Sequence, residues 1–302
     1  MTTAMRCCIM RGVLTGSDVP ASPRAVWRRD REKYEEACIL SDSPSTSMLE
    51  AGAVMGLLPV ALAQSLWLRV AGGRLPEPLG AHAGWTGDLA AEPLRLLVTG
   101  DSLALGVGCS AMERSLAPRL AYSLALRLRR RVEWQVLGGR HWTAAELLRS
   151  LSLHGVPAHD IGIILLGAND TLGLTGIGRW RREFGRILDH LEAAGGRLII
   201  SSGVRNQRPH SGLPWPLSAL LGERGRRLDQ AAFDAVRSRP PSMGHTCLHL
   251  PIAAGELMPH LQRDGFHPSA TGYARWAHWL VQRTADEWQA LSCAMPGMDQ
   301  AS

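Results

Sequence analysis

Short apolar runs of strand character alternate with stretches of helical period through the middle of this 302-residue chain. Leu94, Leu96, Leu97 and Val98 form the first run, between Pro93 and Gly100, and predict a strand over 94–99. A helix is expected across about 112–130, a second strand over 133–137 and a helix over 143–153. Ile161 to Leu166 is the most apolar run and predicts the third strand. Trp180, Phe184, Ile187, Leu188 and Leu191 then fall on one helical face, within a helix over 179–194 stopped by Gly195 and Gly196. A fourth strand is expected over 197–202. After a loop holding Pro209, Pro214 and Pro216 come a helix over 217–236 and a fifth strand over 246–250. Pro268 opens a last helix, with Tyr273, Trp276, Ala277, Leu280 and Val281 on one face. Strands separated by helices need crossover connections, so the expected fold is α/β: three α/β/α layers around a parallel five-stranded sheet.

The flanks are patterned differently. Residues 1–47 are rich in Ser, Arg, Asp and Glu and are expected to be poorly ordered. Residues 48–74 contain an uncharged span of 18 residues, Ala51 to Leu68, at the lower edge of the ~20 that cross a bilayer. Met48 and Met55 are alternative starts from which this span would resemble a signal or signal-anchor core, without basic residues upstream. Arg69 and Arg74 follow it and favour a cytoplasmic downstream side. The alternative is an amphipathic helix packed on the main domain, so membrane-associated and cytoplasmic placements both stay open. Residues 75–92 read as a linker, 93–290 as the domain and 291–302 as a tail.

Composition narrows the function classes. With 45% hydrophobic residues the chain can bury a sizeable core. Its net charge of +6 is carried by arginine, since Lys33 is the single lysine. The Arg127–Arg131 cluster closes an expected helix, where positive charge suits the dipole, and no aromatics interleave with it to stack bases. Nucleic acid is therefore not an expected partner. The six cysteines, scattered without paired spacing, argue against a disulfide framework. His245, Cys247 and His249 alternate along the fifth strand and could ligate zinc, but no fourth ligand is evident and no metal is expected. Neither common phosphate-cradling glycine pattern is present, so no cofactor is implied.

The candidate chemistry lies where strands end. The first closes on Gly100-Asp101-Ser102-Leu103, and the third on Gly167-Ala168-Asn169-Asp170. Near the C-terminus stands Asp264-Gly265-Phe266-His267. A serine hydroxyl needs a base to take its proton during attack, and histidine suits that task near neutral pH. A carboxylate on the other ring nitrogen fixes the tautomer, and a spacing of three lets one turn present both Asp264 and His267. The G-x-S-x-G elbow of the α/β-hydrolases is absent.

In order and context, G-D-S-L, G-x-N-D and D-x-x-H resemble the SGNH (GDSL-type) hydrolases over about Leu94 to Arg283. The resemblance implies a flavodoxin-like fold and a serine esterase acting on carboxylic esters through an acyl-enzyme. It makes Ser102 the nucleophile, Asp264 and His267 the rest of the triad, and Asn169 and the Ser102 N–H oxyanion donors. The family's third donor is a glycine N–H after the second strand. Here that loop reads Gly138-Gly139-Arg140-His141-Trp142, and aligning on Trp142 puts His141 where the glycine stands, with Gly139 two residues earlier. Asp101 and Asp170 read as loop-bracing acceptors. Trp142, Trp180, Trp215 and the loop from Arg205 to His210 are candidates to line an acyl or alcohol pocket for a small-molecule or lipid ester. The alternative is a non-catalytic or acyl-transferase-like domain that binds an acylated lipid or glycan at a membrane. Acyl chain length and oligomeric state are not legible.

Overall fold

The computed structural model describes residues 59, 60, 64, 75–88, 92–204, 214–239, 245–250 and 258–288. The expectations for 1–47, for most of the apolar span 51–68, for the 205–210 loop and for the 291–302 tail fall outside the described residues. Among the described residues, no helix is long and apolar enough to cross a membrane.

The strands are β1 (Ala83–Thr86), β2 (Leu94–Gly100), β3 (Val132–Gly138), β4 (Ile161–Leu165), β5 (Leu198–Ser201) and β6 (Thr246–His249). The helices are α1 (Leu116–Leu128), α2 (Ala144–His154), α3 (Ala168–Leu172), α4 (Ile177–Ala193), α5 (Leu217–Arg237) and α6 (Ala270–Arg283). The strands form one sheet in the order β1-β3-β2-β4-β5-β6, with every pair parallel except β1 and β3.

The apolar runs are continuous because the parallel strands are covered on both faces. Along β2, Leu94, Leu96 and Val98 join the core beneath α1 and α6, while Leu97 points into the core beneath α2, α4 and α5. Ile161, Ile163 and Leu165 alternate with Ile164 in the same way on β4. Each such fully buried side chain contributes roughly 1.5–3 kcal/mol, so the middle of the sheet carries much of the fold's stability.

The α/β/α architecture agrees with the sequence pattern, but the sheet has six strands rather than five. The extra strand, β1, lies within the stretch expected to be a linker. Ala83-Gly84-Trp85-Thr86 is short and half exposed, so no buried apolar run announces it. It forms because β3 would otherwise offer an open edge, and an edge attracts whatever chain lies beside it. Arg131 caps the join by lying over the Trp85 ring at 5.2 Å.

Strand order reverses direction of growth between β2 and β4, since β3 is added on one side of β2 and β4 on the other. The carboxyl ends of strands beside such a switch point are where open α/β sheets build their ligand crevices. The turns after β2 and β4 carry Ser102 and Asn169.

Candidate active site

The turn after β2 is set by a glycine that no other residue could replace. Gly100 has φ +146°, and a Cβ on it would lie 1.8 Å from the Leu165 carbonyl oxygen of β4. The Asp101 N–H then donates to that same carbonyl at 2.9 Å. The side chain of Asp101 turns inward, where its Oδ1 accepts the Leu103 N–H at 2.9 Å. Ser102 therefore sits on a turn braced from below by its neighbour's carboxyl.

His267 reaches this serine from the loop before α6. Its Nε2 lies 3.0 Å from Ser102 Oγ, and its Nδ1 lies 2.6 Å from Asp264 Oδ2. The other oxygen of Asp264 accepts the N–H groups of Phe266 (2.9 Å) and His267 (3.1 Å), which closes the tight turn between Asp264 and His267. Burial by itself would raise the Asp264 carboxyl, but these hydrogen bonds, led by that of His267, outweigh it and hold the pKa below its ordinary value. An ionised Asp264 is the form that can orient an imidazole and stabilise its positive charge.

The third turn brings in Asn169. Gly167 N-caps α3 with φ +118°, and Asn169 follows in its first turn. Its Nδ2 donates to the carbonyls of Trp142 at 3.1 Å and Arg140 at 3.4 Å, tying α3 to the loop after β3. In that loop the Gly139 N–H is committed to the Gly100 carbonyl at 3.2 Å. Among the described residues neither the Ser102 N–H nor the His141 N–H donates to a protein acceptor. Of the two loop positions expected from the sequence, Gly139 thus has its N–H paired, and the His141 N–H has no protein acceptor among the described residues.

Asp101 and Asp170 are both fully buried. Burial pushes Asp101 up to about 7, against the opposing donation from Leu103 N–H and the charge of His267. Burial also pushes Asp170 up to about 6, opposed by hydrogen bonds from Thr175 and the Ala144 N–H. Asp170 Oδ2 accepts that Ala144 N–H at 3.0 Å, at the start of α2. Both carboxyls hold loops together, as their positions in the sequence suggested.

The tryptophans separate. Trp180 is completely buried between α4 and α5, its Nε1–H donating to the Leu228 carbonyl at 2.9 Å, so it is a core residue and lines no pocket. Its helical spacing with Phe184 and Ile187 was the signal for that. Trp142 packs half-buried against the same core, and Trp215 is 60% exposed. The ligand-type side chains at the end of the sheet also separate. His245 Nδ1 bonds the Gly196 carbonyl, Cys247 Sγ bonds Glu192, and His249 faces Ser201 and Asp229. Among the described residues, no group of three or more His, Cys, Asp or Glu is placed to hold a metal ion.

Several supports of the site are not visible in its motifs. Gln262 donates from its side chain to the Gly108 carbonyl at 2.5 Å, and the Tyr273 hydroxyl donates to the Val107 carbonyl at 2.9 Å. Both tie the histidine's loop and helix to the turn that carries Ser102. Tyr273 belongs to the apolar stripe of α6, and nothing in that stripe says that its hydroxyl has a partner 166 positions away.

Known proteins resemble this chain in sequence and in fold. A GDSL-like esterase of Mycobacterium tuberculosis is 29% identical over 199 residues, which cover 64% of this chain and 62% of that protein. The match thus spans less than two thirds of that relative's length. The crystal structure of a lipase from a goat rumen metagenome superposes with a TM-score of 0.50 at 19% identity, covering 63% of this chain and 97% of that one, a likeness of fold. Residues 98–275, more than half of the sequence and the span from β2 to α6 that carries all three turns, match the GDSL-like lipase/acylhydrolase family, and the chain belongs to that family.

Proposed function

We propose that the protein is a serine esterase that hydrolyses acyl esters through an acyl-enzyme. The observation that carries this reading is the continuous path from Ser102 Oγ to His267 Nε2 (3.0 Å) and from His267 Nδ1 to Asp264 (2.6 Å), on a chain of the GDSL-like family.

Ser102 Oγ attacks the ester carbonyl while His267 Nε2 takes its proton. Asp264, ionised, holds the imidazole in the tautomer that leaves Nε2 free to accept, and stabilises the imidazolium. The tetrahedral oxyanion is met by the Ser102 N–H, the Asn169 amide and the His141 N–H. Such donors act because they are already in place when charge develops. For Asn169 this asks one amide hydrogen to leave its carbonyl partners in the loop after β3, or to share with them. Collapse expels the alcohol, which takes the proton from His267. A water then attacks the acyl-enzyme while His267 takes its proton, and collapse breaks the bond to Ser102 Oγ, which receives that proton from His267 as the acid is released. Every proton in this cycle is held by His267, so no cofactor is needed.

The test is hydrolysis of p-nitrophenyl acetate and butyrate by the full chain and by Ser102→Ala. Turnover by the wild type, with a loss of at least about 10³-fold in the variant, is the expected result. Equal turnover by the two proteins would overturn the role of Ser102, and a folded wild type without turnover or fluorophosphonate labelling would favour instead a domain that binds acylated ligands without cleaving them.

A further inference from the structure

We infer that Asp229 is a positioning residue for the oxyanion side of this site, acting through Val204 on the turn that carries Asn169. The inference rests on the reading of Asn169 as an oxyanion donor.

Asp229 stands on the buried face of α5, among Leu228, Ala231 and Ala232. A carboxyl in such a place costs stability unless its oxygens are fully used, and an apolar residue would serve packing alone better. Here Oδ1 is used twice. It lies 3.0 Å from His249 Nε2 and accepts the Val204 N–H at 2.7 Å. His249, at the end of β6, completes the group through its Nδ1, 3.1 Å from Ser201 Oγ at the end of β5. Ser201 and His249 are each 3% exposed and Asp229 7%, so this Ser–His–Asp series is closed to any substrate. Its reach into the chemistry runs through Val204.

Val204 is the point where the chain has left β5, and the bond to Asp229 fixes its backbone there. Its two methyl groups press on Gly167 so closely that a Cβ on that glycine would lie 2.6 and 3.0 Å from them. The Trp180 ring stands on Gly167 as well, at 3.3 Å from the same point. Gly167 starts α3 and accepts both the N–H and the hydroxyl of Thr171, at 2.9 and 2.7 Å, so its position sets that of Asn169 between them. A small shift of the Val204 wall therefore moves the amide that faces the developing charge. Misplacement by about 1 Å can cost on the order of 10² in rate.

The test is a double-mutant cycle on the full chain, with p-nitrophenyl butyrate as substrate and thermal unfolding as a check on each variant. Asn169→Ala is expected to lower kcat by about 10²–10³-fold. Asp229→Ala is expected to lower kcat about 10-fold with KM within about 2-fold of wild type, and to cost nothing further once Asn169 is gone. Losses that multiply in the double variant would overturn the inference and leave the role of Asn169 intact. An Asn169→Ala enzyme with wild-type kcat would instead remove the reading on which it rests. Should Asp229→Ala fail to fold, Val204→Ala keeps the hydrogen bond and removes the methyl groups from Gly167. It is expected to lower kcat severalfold, again only while Asn169 is present, whereas Asp229→Asn, which retains an acceptor oxygen, keeps wild-type kcat. Wild-type kcat in Val204→Ala would overturn the inference.

Discussion

Gly108 faces Pro268 across the site so closely that a Cβ on the glycine would lie 2.3 Å from the proline's carbonyl oxygen and 3.2 Å from the Cβ of His267. The turn that carries Ser102 and the loop that carries His267 are thus packed backbone to backbone, and Gln262 adds a side-chain bond to the Gly108 carbonyl.

Under the proposed mechanism that contact makes Gly108 a determinant of rate although it carries no chemistry. Its φ of +106° is already unfavourable for any side chain, and the added methyl group would press hardest on the Pro268 carbonyl, a backbone atom that cannot rotate away. Gly108→Ala is expected to lower kcat with p-nitrophenyl butyrate by about 10²-fold, by separating His267 from Ser102. A variant with wild-type kcat would show that the two loops adjust independently.

Asp264 gives a prediction of both rate and stability. Asp264→Asn retains the shape of the turn but favours the wrong imidazole tautomer, so kcat is expected to fall by about 10³–10⁴-fold. Because the folded carboxyl titrates below its ordinary value, its contribution to stability is present above the ordinary carboxylate range and is lost as pH falls through the folded value. Acid unfolding followed by circular dichroism is therefore expected to be steeper in the wild type than in Asp264→Asn over that acidic range.

Asp101 and Asp170 have the opposite sign. Their folded values of about 7 and about 6 exceed the ordinary 3.8, so the folded state binds protons that the unfolded state has released. Their contribution is fully present below about pH 4 and is lost as pH rises through 6 and 7, at up to about 1.4 kcal/mol per pH unit for each group. Asp101→Asn keeps an acceptor for the Leu103 N–H and cannot ionise. The wild type is expected to lose thermal stability between pH 5 and pH 8, and Asp101→Asn to lose less over the same interval. Parallel curves for the two proteins would contradict this.

The tryptophans can be told apart by substitution. Trp180→Ala empties a fully buried site and removes the indole bond to the Leu228 carbonyl, at an expected cost of about 3–5 kcal/mol in denaturant unfolding. Trp215 is 60% exposed, and Trp215→Ala is expected to stay within about 1 kcal/mol of wild type. Similar costs for both would place Trp215 in a packed environment.

The sequence by itself determined the layers of the fold and the three turns of the site. A fully buried parallel strand needs an unbroken apolar run, and Ile161 to Leu165 is such a run whatever lies beside it. Gly100 to Ser102 and Asp264 to His267 are contiguous, so their chemistry is written locally even though His267 reaches a serine 165 positions away. The pairing that turns Ala83–Thr86 from an expected linker into a strand exists only because β3 offers it an edge. The Gly139 N–H is engaged by a carbonyl 39 positions earlier, and the burial of Asp229 is offset by His249 of β6 and by the Val204 N–H in the segment after β5. Only the tertiary structure decided these points, because the free energy of a polar group depends on partners that chain neighbours do not supply.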